Sequence, residues 1–110
     1  MNGAQVTVYS HGTDFTTVSN VYLRDKDLSL KAKGLMTVIL SLSHNSNWDF
    51  TIKGLVETLK EGEVAIYAAI NELKAKGYCK TEIERNEKKQ VTRLLYFFDE
   101  KSNPTWIEKS

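Results

Sequence analysis

"TIKGLVETLKEGEVAIYAAINELKAKGY", Thr51 to Tyr78, decides how this chain folds. Thr51 has the side chain of a good N-cap, able to accept a backbone N–H of the first turn. Behind it, Ile52, Leu55, Val56 and Leu59 recur at i, i+3, i+4 and i+7, the spacing of one apolar helix face. "EGE", Glu61 to Glu63, interrupts that pattern. Ile66, Ala69, Ile70 and Leu73 then repeat it, which predicts a second helix from about Glu63 to Lys76. Gly77 stops this helix as a C-terminal glycine.

Upstream, "LSLKAKGLMTVILSL", Leu28 to Leu42, predicts an earlier helix. Ser29 is its N-cap, and Leu35, Val38, Ile39 and Leu42 are its apolar face. Two handicaps sit in it. Gly34 costs about 1 kcal/mol relative to alanine. Lys31 and Lys33 lie where the helix dipole disfavours positive charge. The favoured reading of Gly34 is close packing of this helix against its neighbours. Lys31 and Lys33 face either water or a phosphate, which the unbonded N–H groups of the helix start would also attract. "SHNSN", 43–47, ends the helix. "WDF", 48–50, is a short connector or strand with Trp48 and Phe50 pointing inward.

After Gly77 the apolar period changes to two. "YCKTEIE" and "QVTRLLYFF" read as strands joined by the charged loop "RNEKK". "LLYFF" is apolar at both parities, so both faces of that strand need cover. The N-terminal "QVTVY" supplies it, or else a second subunit does, giving a homodimer through this C-terminal strand. At the other end of the chain, "QVTVY" and "FTTVS" read as extended, a hairpin or two separate edge strands around the turn "SHGTD". The tail "DEKSNPTWIEKS" either docks weakly or stays mobile.

Composition bounds the rest. A length of 110 residues with 41 % hydrophobic content fits one folded domain. A single cysteine, Cys79, forbids an internal disulfide and suits a cytoplasmic setting; at a strand start it reads as a small buried hydrophobe. The two histidines, His11 and His44, and Cys79 lie far apart and give no metal-ligand spacing. No glycine-rich phosphate loop or nucleophile–base pattern suggests an enzyme, no cofactor is expected, and no run is long enough for a membrane helix. Net charge is +1, with local excesses of two positive charges over 24–33 and over 78–93. That is a weak footprint for nucleic acid.

The expected fold is mainly α with a β-hairpin (α+β). It has three helices, two of them linked by a few residues as in a helix-turn-helix, then a two-stranded C-terminal hairpin, and an extended N-terminal segment. This is the winged helix-turn-helix plan, occupying residues 1–98 and followed by a polar tail or linker, 99–110. "VSNVYLRDKDLSLKAKGLMTVILSL", "WDFTIKGL" and "ELKAKGY" resemble a more particular group. They are similar to the N-terminal domain of replication-initiation and replisome-organiser proteins of phages, plasmids and integrative elements of Gram-positive bacteria, relatives of the DnaD N-terminal domain. The resemblance spans roughly residues 15–98. It implies a winged helix that binds double-stranded DNA or assembles replisome proteins at replication initiation.

The residues expected to meet DNA follow from that plan. The third helix offers Ala65, Tyr67, Ala68, Asn71 and Lys74 outward; Asn71 can pair with adenine, alanine can touch a thymine methyl, and Tyr67 can reach a phosphate. Lys31, Lys33, Lys53 and Lys60 add phosphate contacts. Arg85, Lys88, Lys89 and Arg93 of the hairpin form the candidate wing. Against this, the third helix has no arginine, and Glu61, Glu63 and Glu72 are acidic. A protein-interaction module and a transcriptional regulator of the same fold remain as alternatives.

Overall fold

The computed structural model describes residues 3–9, 14–43 and 51–107. Its elements run α1 (Asn20–Leu23), α2 (Leu30–Ser43), α3 (Ile52–Thr58), α4 (Glu63–Ala75), β1 (Cys79–Arg85) and β2 (Val91–Phe98), with a final 3-10 turn at Pro104–Trp106. Among the described residues this is a mixed α+β architecture of four helices and one two-stranded antiparallel hairpin.

Local chemistry places the helix ends. The Ser29 hydroxyl accepts the Ala32 N–H at 3.1 Å, and the Thr51 hydroxyl accepts the Gly54 N–H at 3.0 Å. At the far end of α4, Gly77 takes a left-handed backbone, φ +84°. The Tyr78 N–H bonds the Leu73 carbonyl and the Gly77 N–H bonds the Lys74 carbonyl, 2.9 and 3.2 Å. This is a Schellman cap, completed by burial of both Leu73 and Tyr78.

The core forms where these helices meet. Ile66, Ala69, Ile70 and Leu73 of α4 are all buried, as are Leu35 and Ile39 of α2 and Leu55 of α3. Val38, Leu42, Ile52, Val56 and Leu59 pack half-buried at its margin. Tyr96 and Phe98 bring the base of the hairpin onto the same core, and Cys79 is fully buried there.

Three expectations are corrected. Residues 3–9 and 14–19 form no strand, and Val6, Val8, Tyr9 and Phe15 are exposed, so "QVTVY" does not cover β2. A β-branched pattern without a ladder partner does not hold a strand. The helical core has a fourth member, α1, capped by the Ser19 hydroxyl on the Val21 N–H. It is too short to show a period, but it delivers Tyr22 to the core, where the phenol donates to Thr37 Oγ1, itself bonded to the Lys33 carbonyl. Third, Gly34 is exposed, and a β-carbon added there would meet nothing within 4 Å. The glycine is not a packing contact. Gly34→Ala therefore raises stability by about 0.5–1 kcal/mol, measured as an upward shift in urea midpoint at unchanged m-value. Trp48, Phe50, His11, His44 and the turn after Ser43 lie outside the described residues.

Residues 99–107 fold back onto the end of α4. The Asn103 N–H bonds the Gly77 carbonyl at 2.9 Å, the Ser102 hydroxyl the Lys76 carbonyl at 2.7 Å, and the Asp99 N–H the Tyr78 carbonyl at 2.9 Å. Glu100 accepts the Ser19 N–H at 3.0 Å, tying the tail to α1.

Candidate nucleic-acid interface

Helical geometry sorts the side chains of α4 by direction. Its buried stripe faces the core. Val64, Ala68, Asn71 and Ala75 form the opposite stripe, all exposed and none charged. Ala65 and Glu72 lie on the flank toward α2, Tyr67 and Lys74 on the flank toward the hairpin. Four residues, Leu59 to Gly62, join α3 to α4, so the two helices form a tight helix–turn–helix pair.

The candidate residues divide along these flanks. Lys31 and Ala65 line an open, mainly apolar groove of about 380 Å³ between α2 and the start of α4, with Leu30, Gly34 and Glu61 beside them. Lys53 and Tyr67 line a second crevice of about 370 Å³ between α3 and α4, together with Glu57 and Glu63. Tyr67 also acts on Tyr96 of β2, whose phenol is pushed above its ordinary range, first by burial and then by Tyr67. Lys53, Tyr67 and the hairpin therefore share one side of α4, while Lys31 belongs to the other.

Two expected phosphate contacts meet competing carboxylates. The backbone N–H and hydroxyl of Ser29 both bond the Glu72 carboxylate, the latter at 2.9 Å. The Glu72 carboxylate thus holds the N-cap residue of α2, beside the helix start where Lys31 and Lys33 are expected to meet phosphate. Lys33 is half-buried and acts on Asp25, whose carboxyl is held below its usual range. The principal cause is the Tyr78 hydroxyl, which donates to Asp25 at 2.7 Å; the Asp27 N–H adds to it, and Lys76 and Lys33 contribute charge. Lys74 is half-buried, and Lys60 is exposed in the turn.

Every residue from Glu82 to Leu94 is exposed, so the distal half of the hairpin projects from the helical body. Its loop is closed by Asn86, whose side chain accepts the N–H groups of Lys88 and Gln90. Arg85 donates to the Lys89 carbonyl at 2.9 Å. Lys89 itself sits at φ +63°, a backbone conformation that glycine or asparagine adopts at less cost. Arg93 makes a two-pronged contact with Glu84 across the strands, at 3.0 and 3.2 Å. An exposed pair adds little stability, but it offsets the Arg93 charge. The positive charge at the tip therefore comes chiefly from Arg85, Lys88 and Lys89, opposed by Glu87.

One contact had no sequence signal. Lys80 Nζ lies 5.2 Å from the ring centres of both Phe97 and Trp106, joining β1, β2 and the tail. No group of three His, Cys, Asp or Glu placed to hold a metal occurs among the described residues. None of the helices described is long and apolar enough to cross a membrane. Comparison with known proteins finds no matching family model, no matching curated protein and no matching solved structure.

Proposed function

We propose that this chain is a double-stranded-DNA-binding module of the winged helix-turn-helix plan, with α4 set toward the groove and the hairpin as its wing. The observation that carries this reading is the outward stripe of α4. Val64, Ala68, Asn71 and Ala75 are small or neutral and exposed, with Lys53 and Lys60 on the preceding helix and turn and a projecting loop that bears Arg85, Lys88 and Lys89. A groove-reading helix needs such a face, because a carboxylate there would meet phosphate repulsion. Lys89 supports the reading too. A cation is kept at a left-handed position where glycine would relieve the backbone. The replication-initiation setting in a mobile element rests on the sequence resemblance alone, carried by Val18–Leu42 together with "WDFTIKGL" and "ELKAKGY".

Duplex titration by fluorescence anisotropy tests it. The affinity is on the order of 1 µM at about 50 mM salt, falling with a log–log slope near −3 to −4 if Lys53, Lys60, Lys88 and Lys89 each meet a phosphate. Replacing Lys88 and Lys89 by alanine flattens the slope by roughly two. Absence of binding to any duplex at low salt removes the proposal. A second reading, a module that binds replisome proteins or itself, is favoured by the apolar side chains Ile83, Val91, Leu94 and Phe97 left exposed on the hairpin. A stable oligomer without DNA affinity selects it.

A further inference from the structure

We propose that Asn71 is the base-reading residue of this chain, and that it reads an adenine whose neighbours are A·T pairs. The inference rests on the duplex-binding reading and adds to it the bases that α4 selects. Asparagine is a poor choice for a helix interior, because its side chain competes for nearby backbone groups. Asn86 and Asn103 stand where that competition helps. The Asn86 side chain closes the hairpin loop, accepting the N–H groups of Lys88 and Gln90. The Asn103 side chain caps the final 3-10 turn, accepting the Thr105 N–H at 3.1 Å. Asn71 has no such task. It sits in the interior of α4, exposed, and its amide has no hydrogen-bond partner among the described residues. Its donor and its acceptor are therefore both open to a ligand.

The stripe around Asn71 decides which bases it meets. In the major groove guanine is read by arginine or lysine, and cytosine by a carboxylate. The stripe of Val64, Ala68, Asn71 and Ala75 carries neither. On its flanks, Glu72 accepts the Ser29 hydroxyl at 2.9 Å, and Lys74 is half-buried. What remains is one amide among small apolar side chains. The amide matches adenine, with Nδ2 donating to N7 and Oδ1 accepting from the N6 amino group. Guanine in that place sets its O6 against Oδ1, so one of the two bonds is lost. The alanine methyl groups match the C5-methyl of thymine. Ala68 and Ala75 lie about 4.5 Å and about 6 Å along the helix axis from Asn71. Base pairs follow one another at roughly 3.4 Å, so each alanine is level with a pair one or two steps away. Both alanines also let the backbone of α4 come close to the bases, which the short Asn71 side chain requires.

Selection by the full chain, at about 50 mM salt, from duplexes with a randomised central segment tests this. The selected duplexes share one adenine with A·T pairs on either side. Guanine in place of that adenine lowers affinity about 10-fold or more. 7-Deazaadenine there lacks the N7 acceptor and lowers affinity in the same direction. Asn71→Ala binds the adenine and guanine duplexes alike. Asn71→Arg moves the preference at that base to guanine. Asn71 is exposed and outside the core, so both variants keep the helical spectrum of the parent. Duplex binding with no preferred base overturns the inference and leaves the duplex-binding reading in place. An adenine preference that survives Asn71→Ala does the same, as does a selected adenine whose neighbours are random. Failure to bind any duplex overturns both.

Discussion

Gly77→Ala is expected to be among the most damaging single-methyl additions in this chain. A non-glycine residue held at φ +84° costs about 1–2 kcal/mol in backbone strain alone. The added β-carbon would also lie 2.7 Å from the Asn103 carbonyl oxygen, 3.0 Å from Ile107 and 3.1 Å from Ser102. A carbonyl oxygen on the main chain cannot swing aside as a side-chain tip can. The tail must therefore lift, giving up the Asn103–Gly77 and Ser102–Lys76 hydrogen bonds and the Trp106 ring over Lys80. The combined loss is about 2–4 kcal/mol, which in a domain of this size lowers the melting temperature by roughly 10–20 °C. Ser102→Ala is the companion variant. It removes one tail contact without touching the cap, and should cost about 1 kcal/mol. A Gly77→Ala protein that melts within a few degrees of the parent would show that the tail is not seated on the helix end. Gly34→Ala, the same chemical change on a helix surface with open space, moves stability the other way.

That contrast marks what a sequence can reveal. Both glycines interrupt helical patterns, but only Gly77 stands where the period switches from helical to alternating, and a period switch is a local signal. Thr51 and Ser29 were legible as caps for the same reason, since each sits just before an apolar repeat. The stripe of α4 was legible to the residue because all four of its members are buried. What escaped was set by partners far along the chain. Glu72 reaches Ser29 across 43 positions, and Glu100 reaches Ser19 across 81. Nothing near Glu72 announces that its carboxylate holds the N-cap residue of another helix. The lysines show the limit most plainly for the candidate interface. Lys31, Lys33 and Lys53 look alike on helical periodicity, yet packing turns Lys53 toward the hairpin side, Lys31 toward the α2 groove, and Lys33 toward Asp25. The β-branched "QVTVY" misled because propensity describes what a pleated surface favours, and no such surface receives it within the described residues.

Asp25→Ala should produce the second large loss, and its pH dependence identifies the cause. Tyr78 is almost fully buried, and its hydroxyl donates to the Asp25 carboxylate at 2.7 Å. Removing the acceptor leaves a phenol without its partner inside the fold, which costs about 1–3 kcal/mol at neutral pH. Asp25→Asn keeps an acceptor oxygen and loses only the charge, so it should fall between the parent and Asp25→Ala. The sign of the pH effect follows from the direction of the shift. The folded carboxyl is held below its ordinary value, so its contribution is fully present above the unfolded-state value, about 3.9, and is lost as pH falls through the lower folded value. The stability gap between the parent and Asp25→Asn, read from urea midpoints, should hold steady from about pH 7 to 5 and narrow toward pH 2. Tyr78 works at the other extreme. Burial first, and then the bond to Asp25, push its phenol far above the ordinary tyrosine range. The unfolded chain therefore loses that proton first, and the parent should weaken as pH climbs past about 10. Tyr78→Phe removes the Tyr78 share of this alkaline weakening, leaving the smaller shares of Tyr22 and Tyr96 and the acid behaviour of other carboxylates. A gap between the parent and Asp25→Asn that stayed constant from pH 7 to pH 2 would mean that the Asp25 charge does not stabilise the junction between the α1–α2 turn and the end of α4.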